Sequence, residues 1–274
     1  MGGFWSPAPV VLAGPCVLED DALNLRVARS LAELAERLGI RIVYKASFDK
    51  ANRSSLDAER GPGLESGLPC LARVREETGL PVITDVHETW QVDRAAAVVD
   101  ALQVPAFLCR QTDLLTAVGG SGLPVNLKKG QWMHPESMAG AVEKVRRAGS
   151  SDVAVTERGT FFGYGDLVVD MRNFTRIRSA TGVPVLFDAT HSVQLPGMGP
   201  GGSSGGQRQY VPDLLRAAAA AGADGFFIET HPDPAGAPSD GATMWPLRGL
   251  EPLLEVAKEI WVRVHDRGET CSSL

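Results

Sequence analysis

The sequence predicts an α/β fold, a (β/α)8 TIM barrel, that forms one domain over residues 1–274. Three observations support this prediction. Short apolar runs alternate with longer stretches of helical apolar spacing, the alternation occurs eight times, and the length suits the roughly 250 residues of such barrels. An open doubly wound sheet is the alternative. It is disfavoured because the nearest glycine-rich fingerprint, residues 61–67, follows a long loop rather than a strand.

The eight strand–helix units can be followed along the chain. Strands are predicted at residues 10–13, 40–44, 81–84, 101–104, 124–127, 153–156, 183–187 and 225–228. Helices are predicted at residues 20–38, 64–78, a stretch ending at 99, 111–118, 135–148, a stretch after 167, 212–221 and 250–264. Apolar runs of this length are typical of strands buried on both faces of a parallel sheet, and Gly39 and Gly79 stand where the first two helices should end.

Two stretches rich in glycine and proline interrupt this pattern after the seventh and eighth strands. They are residues 196–206 and 232–246. Structureless loops of this length inside a domain usually serve as lids or binding loops, so both are predicted to cover a site.

The composition excludes several classes of protein. A net charge of −6 argues against a nucleic-acid surface, which requires a basic face. No apolar run approaches the roughly 18 residues of a membrane span, and the first residues lack a signal-peptide pattern. The expectation is a cytoplasmic protein with neither a nucleic-acid nor a membrane partner. The cysteines at positions 16, 70, 109 and 271 show no CxxC spacing, so neither a disulfide framework nor a zinc finger is indicated.

Polar and cationic residues crowd the loop after the second predicted strand. They are Lys45, Lys50, Arg53, Asn52, Ser54 and Ser55. Cations held this close repel one another unless a ligand neutralises them, so the loop predicts an anion site. Two such ligands would fit a reaction between phosphorylated molecules. The alternative is a solvated loop in which Ser54 caps the next helix.

Chemically reactive residues follow all eight predicted strands. In chain order they are Cys16, Lys45, Asp85 with His87, Gln103, Lys128 with Lys129, Glu157 with Arg158, Asp188 with His191, and Glu229 with His231. The carboxyl ends of the strands form the face on which barrel enzymes build their sites, so this pattern predicts an active site there. Its cations would form a positively charged bowl for anionic substrates: Lys45, Lys50, Arg53, Lys128 and Arg158.

Four residues after the first, seventh and eighth strands predict a metal site. They are Cys16, His191, Glu229 and Asp240. These strands are neighbours in a closed barrel, so the four side chains can converge although they lie far apart in sequence. One sulfur, one nitrogen and two oxygen donors suit Zn²⁺, Fe²⁺ or Mn²⁺ better than Mg²⁺ or Ca²⁺. The residues alone leave a second interpretation open, in which Cys16 is a small buried hydrophobe and His191 a core histidine.

Seven sequence motifs resemble one enzyme family. They are KASFDKANRSS at 45–55, TDVHE at 84–88, PAFLCRQTDLL at 105–115, NLKKGQ at 126–131, ERGTFFGYGDLVVDMR at 157–172, FDATHSVQLPG at 187–197 and ETHPDP at 229–234. Together they resemble the 3-deoxy-D-manno-octulosonate 8-phosphate synthases from about residue 13 to the last helix. The resemblance implies a barrel enzyme, typically a homotetramer, that condenses phosphoenolpyruvate with D-arabinose 5-phosphate and water and releases inorganic phosphate. In that family the product feeds lipopolysaccharide synthesis.

Matching these motifs residue by residue implies roles for the site residues. Phosphoenolpyruvate would be bound by Lys45, Lys50, Gln103, Lys128 and Arg158. The sugar phosphate would be bound by Asn52, Arg53 and Ser54, and by Arg110 from a neighbouring subunit. Asp85 and His87 would line the pocket, although Asp85 could equally orient a lysine. The implied catalytic set is Lys45, Lys50, Asn52, Asp85, His87, Lys128, His191 and Asp240.

The resemblance also implies dependence on a divalent metal. Cys16, in the motif AGPC, stands where the metal-independent branch of the family has asparagine. The implied ligands are Cys16, His191, Glu229 and Asp240, and the implied ion is Zn²⁺, Fe²⁺ or Mn²⁺. Whether that ion would activate the water or position the aldehyde stays open. The chain departs from the family in a short N-terminus, expected to lack the initial hairpin, and in a glycine-richer lid at 197–206.

Two other functions are compatible with a barrel of this kind. A 3-deoxy-arabino-heptulosonate 7-phosphate synthase would use erythrose 4-phosphate in place of arabinose 5-phosphate, but the block KANRSS argues against it. A non-catalytic sugar-phosphate-binding barrel would have lost part of the metal or phosphate set, and every member of both sets is present in the sequence.

Overall fold

Eight parallel strands close into a barrel at the centre of the molecule. The computed structural model describes residues 3–6, 9–53, 58–162, 165–199 and 204–268. Within these residues the barrel strands are β1 (Val10–Gly14), β2 (Arg41–Lys45), β3 (Val82–Asp85), β4 (Ala101–Val104), β5 (Val125–Lys128), β6 (Val153–Glu157), β7 (Val185–Asp188) and β8 (Gly225–His231). Strand β1 pairs with both β2 and β8, which aligns Val10 with Arg41 on one side and with Gly225 on the other. This closure confirms the predicted TIM barrel and excludes the open sheet.

Helices follow the strands and cover the outside of the barrel. Over the described part of the chain they are α1 (Asp21–Leu38), α2 (Gly63–Thr78), α3 (Thr89–Ala96), α4 (Thr112–Gly120), α5 (Met138–Ala148), α6 (Asn173–Thr181), α7 (Val211–Ala220) and α8 (Leu250–Gly268). Helix α1 begins after Asp20, whose side chain accepts a hydrogen bond from the Leu23 amide, and ends at Gly39, which has a left-handed φ of 57°. None of the described helices is both long and apolar enough to cross a membrane.

The third helix ends three residues earlier than the sequence predicted. The Val98 amide donates to the Ala95 carbonyl, three positions back, so the chain tightens into a turn. The turn directs Val99 into the core, and the Asp100 carboxylate then accepts a hydrogen bond from the Val82 amide at the start of β3. The apolar spacing up to position 99 therefore reflects burial rather than continued helix.

The hydrophobic core has two layers. The larger layer lies between the strands and the helices, and the smaller one fills the barrel with Val10, Leu12, Val43, Ile83, Ala101, Ala154, Leu186, Phe227 and Trp5. Trp5 is only 2% exposed, and its indole nitrogen donates to the Asp152 carbonyl over 3.1 Å. Residues 3–6 form a turn rather than a hairpin, so Trp5 closes the amino-terminal end of the barrel. The opposite end is left to the loops.

The two predicted lid loops are anchored at the carboxyl-terminal end of the barrel. Gln194–Leu195 pairs antiparallel with Gly205–Gly206, and Trp245–Pro246 pairs in parallel with the end of β8. Residues 200–203 of the first loop lie outside the described residues. Both loops are thus held by backbone hydrogen bonds where they leave and rejoin the barrel.

Candidate active site

A cavity of about 550 Å³ opens at the carboxyl-terminal end of the barrel. Most of the predicted site residues line it: Lys50, Asn52, Arg53, Asp85, His87, Gln103, Lys128, Arg158, His191 and Asp240. Three more, Lys45, Cys16 and Glu229, are buried and contact these lining residues. Of the remaining two, Ser54 lies outside the described residues, and Arg110 is exposed and does not line the cavity.

Lys45 and Asp85 form a buried ion pair beneath the cavity. Lys45 Nζ lies 3.0 Å from Asp85 Oδ2 and donates to Ser47 Oγ over 2.9 Å. Asp85 also accepts hydrogen bonds from Ser47 and Gln103. Burial alone would raise the pKa of Asp85, but the positive charges of Lys45 and Lys50 hold it well below its usual range. Asp85 is therefore a carboxylate that contacts a lysine and an amide and also lines the cavity, so its position fits both of the roles predicted for it.

Lys128 sits deep in the cavity between an acid and an aromatic ring. Its ammonium group pairs with Asp188 and lies 3.3 Å from the centre of the Phe227 ring. Burial lowers the pKa of Lys128, and the Asp188 carboxylate opposes that shift. Phe227 belongs to the inner barrel core, so a barrel strand fixes the position of this cation.

Lys50 approaches the cavity from the loop after β2. Its side chain is 13% exposed, and Nζ lies 3.9 Å from Glu229 Oε1. Burial alone would lower the pKa of Lys50, but the acidic groups beside it, first Cys16 and then Glu229 and Asp85, outweigh this effect and raise it. Lys50 is therefore fully protonated and positively charged at neutral pH.

His87 lines the cavity and has one ring nitrogen that is unpaired among the described residues. Its Nδ1 is buried without a hydrogen-bond partner among the described residues. Burial lowers the pKa of His87, and the nearby Asp85 and Asp49 offset this only in part. The imidazole is thus neutral at pH 7 and can exchange a hydrogen bond with a ligand.

Three of the predicted metal ligands form a compact group. The ligand atoms of Cys16, Glu229 and Asp240 all lie within 4.8 Å of one another, and Cys16 Sγ donates to Asp240 Oδ2 over 3.0 Å. Both Glu229 carboxylate oxygens are buried without a hydrogen-bond partner in the described structure. Burial and the Glu229 charge raise the pKa of the Cys16 thiol well above its ordinary value. A divalent cation would satisfy the unpaired oxygens and stabilise the thiolate, so this donor set fits a metal ion.

His191 lies beside this group rather than within it. Its Nε2 is 3.7 Å from Glu229 Oε1, while its Nδ1 is 2.7 Å from Asp188 Oδ2. A carboxylate at one ring nitrogen commonly orients the other nitrogen of a metal-binding histidine. Asp188 therefore directs His191 Nε2 towards the predicted metal site, and also pairs with Lys128.

Arg158 lines the cavity, and one of its guanidinium nitrogens is unpaired among the described residues. Its Nη2 donates to Gln194 Oε1, whereas its Nη1 is buried and has no partner in the described residues. A buried guanidinium nitrogen that lacks a partner is destabilising unless a ligand accepts its hydrogen bond. Because the side chain lines the cavity, that ligand would be an anion inside it.

Some lining residues were not assigned a role from the sequence. They include Gln131, Gln194, Phe107, Phe161 and Ser239. Gln131 is 4% exposed, and its Oε1 has no partner within the described chain. Both glutamines stand inside motifs that carried the resemblance, NLKKGQ and FDATHSVQLPG, so the signal was present, but neither residue lies on a barrel strand, where the strand pattern would have marked it as it marked Gln103.

Comparison with known proteins places the chain in a family. The model of the DAHP synthetase I family matches residues 6–265. The chain belongs to the DAHP synthetase I family. Relatives in this family include the 2-dehydro-3-deoxyphosphooctonate aldolase of Rhodopseudomonas palustris (strain ATCC BAA-98 / CGA009), which is 58% identical over 249 residues, covering 91% of this chain and 86% of the relative. The protein of the same name from Syntrophotalea carbinolica is 58% identical over 253 residues, covering 92% of this chain and 91% of the relative.

A third relative extends the match further along the chain. The 2-dehydro-3-deoxyphosphooctonate aldolase of Alkalilimnicola ehrlichii is 55% identical over 260 residues, covering 95% of this chain and 93% of the relative. These matches confirm the resemblance to the 3-deoxy-D-manno-octulosonate 8-phosphate synthases within the DAHP synthetase I family, and they confirm that the chain is an enzyme.

Proposed function

We propose that this enzyme condenses phosphoenolpyruvate with D-arabinose 5-phosphate and water, giving 3-deoxy-D-manno-octulosonate 8-phosphate and inorganic phosphate for lipopolysaccharide synthesis. The observation that carries the proposal is one cavity lined by four cationic side chains in a protein of net charge −6: Lys50, Arg53, Lys128 and Arg158. Such a cavity concentrates anionic substrates and holds two of them against their mutual repulsion. Both substrates are phosphorylated metabolites, so we place the reaction in the cytoplasm.

The deep part of the cavity is suited to phosphoenolpyruvate. Lys128 and Arg158 reach it from β5 and β6, and Gln103 reaches it from β4. Arg158 Nη1 has no partner in the part of the chain that is described and can donate to a phosphate or carboxylate oxygen, and Lys128 supplies a compact charge. Lys45 lies below them and fixes Asp85, which in turn holds the amide of Gln103. These residues would fix the position of C3 and C2 of the substrate.

The outer part of the cavity is suited to the sugar phosphate. Asn52 and Arg53 line it from the loop after β2, and we assign Ser54 to the same subsite from its motif. C3 of phosphoenolpyruvate would then bond to the aldehyde carbon, water would add its oxygen at C2, and the phosphate would leave from C2. Holding both reactants in this geometry supplies several kcal/mol of the barrier reduction, more than any single proton transfer.

We further propose that the enzyme belongs to the metal-dependent branch of its family. Cys16, Glu229 and Asp240, with His191 beside them, would hold Zn²⁺, Fe²⁺ or Mn²⁺. A bound ion would supply Lewis acidity to an oxygen at this end of the cavity. The neutral His87 can hold or pass a proton at Nδ1 beside the same cavity, and the lid loops would exclude water from it.

We also propose that the enzyme works as a homotetramer in which a neighbouring subunit completes the site. Two aromatic side chains near the cavity mouth support this: Phe107 is 51% exposed, Trp132 is 45% exposed, and their rings lie 5.5 Å apart. Exposed aromatic pairs are typical of interfaces. Arg110 lies three residues after Phe107 and is exposed, so the same surface would carry it into the sugar-phosphate subsite of the neighbouring subunit.

A phosphate-release assay with two aldoses tests the proposed reaction. Purified enzyme is incubated with phosphoenolpyruvate and either D-arabinose 5-phosphate or D-erythrose 4-phosphate, and an incubation without aldose serves as the control. We expect aldose-dependent release with arabinose 5-phosphate and little with erythrose 4-phosphate. Preference for erythrose 4-phosphate would identify the rival synthase, and no release with either aldose would favour a non-catalytic barrel.

A further inference from the structure

Gln194 forms a bridge between two parts of the candidate site. Its Oε1 accepts a hydrogen bond from Arg158 Nη2, and its Nε2 donates to Asp240 Oδ1 over 2.8 Å. A guanidinium can only donate and a carboxylate can only accept, so the orientation of the amide follows from its two partners. Substitution of Gln194 by glutamate would remove the donor to Asp240, and substitution by leucine would remove both the donor and the acceptor for Arg158.

The backbone holds Gln194 rigidly in this position. Gln194 pairs with Gly206 across the base of the first lid loop. A Cβ atom on Gly206 would lie 2.2 Å from Thr243 Cγ2, so the lid base packs directly against the loop that carries Asp240. Because the two loops are packed together, the bridging amide has little freedom to follow one partner and release the other.

The Asp240 carboxylate depends on this amide for one of its oxygens. Oδ2 accepts from Cys16 Sγ and from Ser239 Oγ, both over 3.0 Å, whereas Oδ1 accepts from Gln194. Asp240 is also the only non-glycine residue with a left-handed φ in the described chain, at 49°. Backbone strain of this kind persists where the surroundings fix a functional side chain. The amide of Gln194 is part of those surroundings.

We propose that Gln194 is a positioning residue that couples the anion held by Arg158 to the orientation of the Asp240 carboxylate. An anion on Arg158 Nη1 fixes the guanidinium, and the guanidinium fixes the amide and therefore Oδ1 of Asp240. Anion binding and metal binding then favour each other, by the same factor in both directions. This inference rests on the proposed function, because it takes Arg158 as a phosphate contact and Asp240 as a metal ligand.

Titration with Co²⁺ measures this coupling without using activity. Metal-stripped enzyme is titrated with Co²⁺ and followed by its thiolate charge-transfer and d–d absorption, with and without saturating phosphoenolpyruvate. In the unmodified enzyme we expect phosphoenolpyruvate to tighten Co²⁺ binding roughly tenfold, within the usual range of coupling between sites. In Gln194→Leu and Gln194→Glu we expect the ratio of the two affinities to fall to about one.

One control and one second test variant allow the result to be interpreted. Gln209→Leu changes an exposed glutamine shortly after the same hairpin and should keep the full ratio. Gln194→Glu retains size and the acceptor for Arg158, so it remains informative if Gln194→Leu fails to fold by circular dichroism. An unchanged ratio in a folded Gln194 variant, or no coupling in the unmodified enzyme, would overturn the inference. If the unmodified enzyme neither binds Co²⁺ through a thiolate nor releases phosphate, the proposed function itself has failed.

Discussion

Arg53 Nη1 donates a hydrogen bond to Ser239 Oγ over 2.8 Å, and this contact joins the loop after β2 to the loop after β8. Ser239 Oγ in turn donates to Asp240 Oδ2. The cation proposed to bind the sugar phosphate is therefore one side chain away from a proposed metal ligand. Its acceptors within the described residues are neutral oxygens, including the carbonyls of Pro238 and Glu59, and a phosphate would bind the guanidinium more strongly than they do.

Arg53→Ala is expected to raise the KM for arabinose 5-phosphate roughly 10- to 100-fold, because a charge-assisted hydrogen bond contributes about 1.5–3 kcal/mol. The KM for phosphoenolpyruvate should change by less than about threefold. Steady-state kinetics with each substrate varied in turn measures both values. Arg60→Ala truncates an exposed arginine that pairs with Asp49 and does not line the cavity, so it is the matched control. A similar rise for both substrates in Arg53→Ala would contradict the assignment.

Lys128→Met is expected to affect the other substrate and also the stability of the fold. It removes a cation from the deep part of the cavity, so the KM for phosphoenolpyruvate should rise more than that for the sugar phosphate. In this variant the buried Asp188 carboxylate keeps its contact with His191 but loses the ammonium group of Lys128. Because a buried charge then lacks its partner, the free energy of unfolding should fall by about 3 kcal/mol. Kinetics and urea unfolding measure the two effects.

The neighbouring lysine provides the control for this variant. Lys129 is buried beside Glu157, with Nζ 3.4 Å from Oε1, and does not line the cavity. Lys129→Met should therefore also destabilise the fold, while the folded enzyme keeps its KM for phosphoenolpyruvate. If both variants raised that KM equally, the effect of Lys128→Met would be one of stability and not of substrate binding.

The barrel and the place of its site could be predicted because both depend on local patterns. Strands buried on both faces appear as unbroken apolar runs, and the first reactive residue beyond each run marks the carboxyl end of a strand. Lys45, Lys128 and Glu229 each stand one position after a predicted strand and lie within the observed strand, so the strand pattern predicted their place to within one residue. The end of α3 was predicted wrongly because Val99 is buried by a turn that continues the apolar spacing of the helix.

Contacts made between loops could not be predicted in the same way. Gln194 meets Arg158 and Asp240 across 36 and 46 positions of sequence, and its partners depend on the paths of the loops after β6, β7 and β8. The contact between Arg53 and Ser239 depends in the same way on loops that no periodicity describes. The residue types at these positions indicate that hydrogen bonds will form, but not with which partners.

Removal of the divalent ion should abolish phosphate release, and added Zn²⁺, Fe²⁺ or Mn²⁺ should restore it. Cys16→Ser should lower the metal content of the purified enzyme, because the compact group loses its thiolate donor. Elemental analysis and the phosphate-release assay, before and after dialysis against a chelator, measure both effects. Cys70→Ser, which changes a cysteine outside the group, is the control. Full activity in a metal-free preparation would contradict metal dependence.

Alkylation of Cys70 should keep accelerating with pH beyond the range of an ordinary thiol. Burial and a hydrogen bond to Asp21 Oδ1, with Sγ at 3.1 Å, raise the pKa of this thiol to about 11. The reactive thiolate fraction should therefore rise about tenfold per pH unit from pH 8 to 10, whereas a thiol with the usual pKa of about 8.5 levels off. Iodoacetamide labelling followed by peptide mass spectrometry measures the rate. Asp21→Asn should move the plateau to lower pH, and a plateau near pH 9 in the unmodified enzyme would contradict the prediction.

Trp5→Ala should destabilise the barrel although Trp5 lies at the opposite end from the active site. Trp5 belongs to the inner core cluster and is 2% exposed, so its removal leaves a cavity and should lower the free energy of unfolding by about 3–5 kcal/mol. Trp90→Ala, which truncates a tryptophan that is 59% exposed, should change it by less than about 1 kcal/mol. Urea unfolding of the two variants measures the difference. Equal losses of unfolding free energy in the two variants would mean that Trp5 does not close the barrel. The KM values of folded Trp5→Ala should stay unchanged, because the inner core separates Trp5 from the cavity.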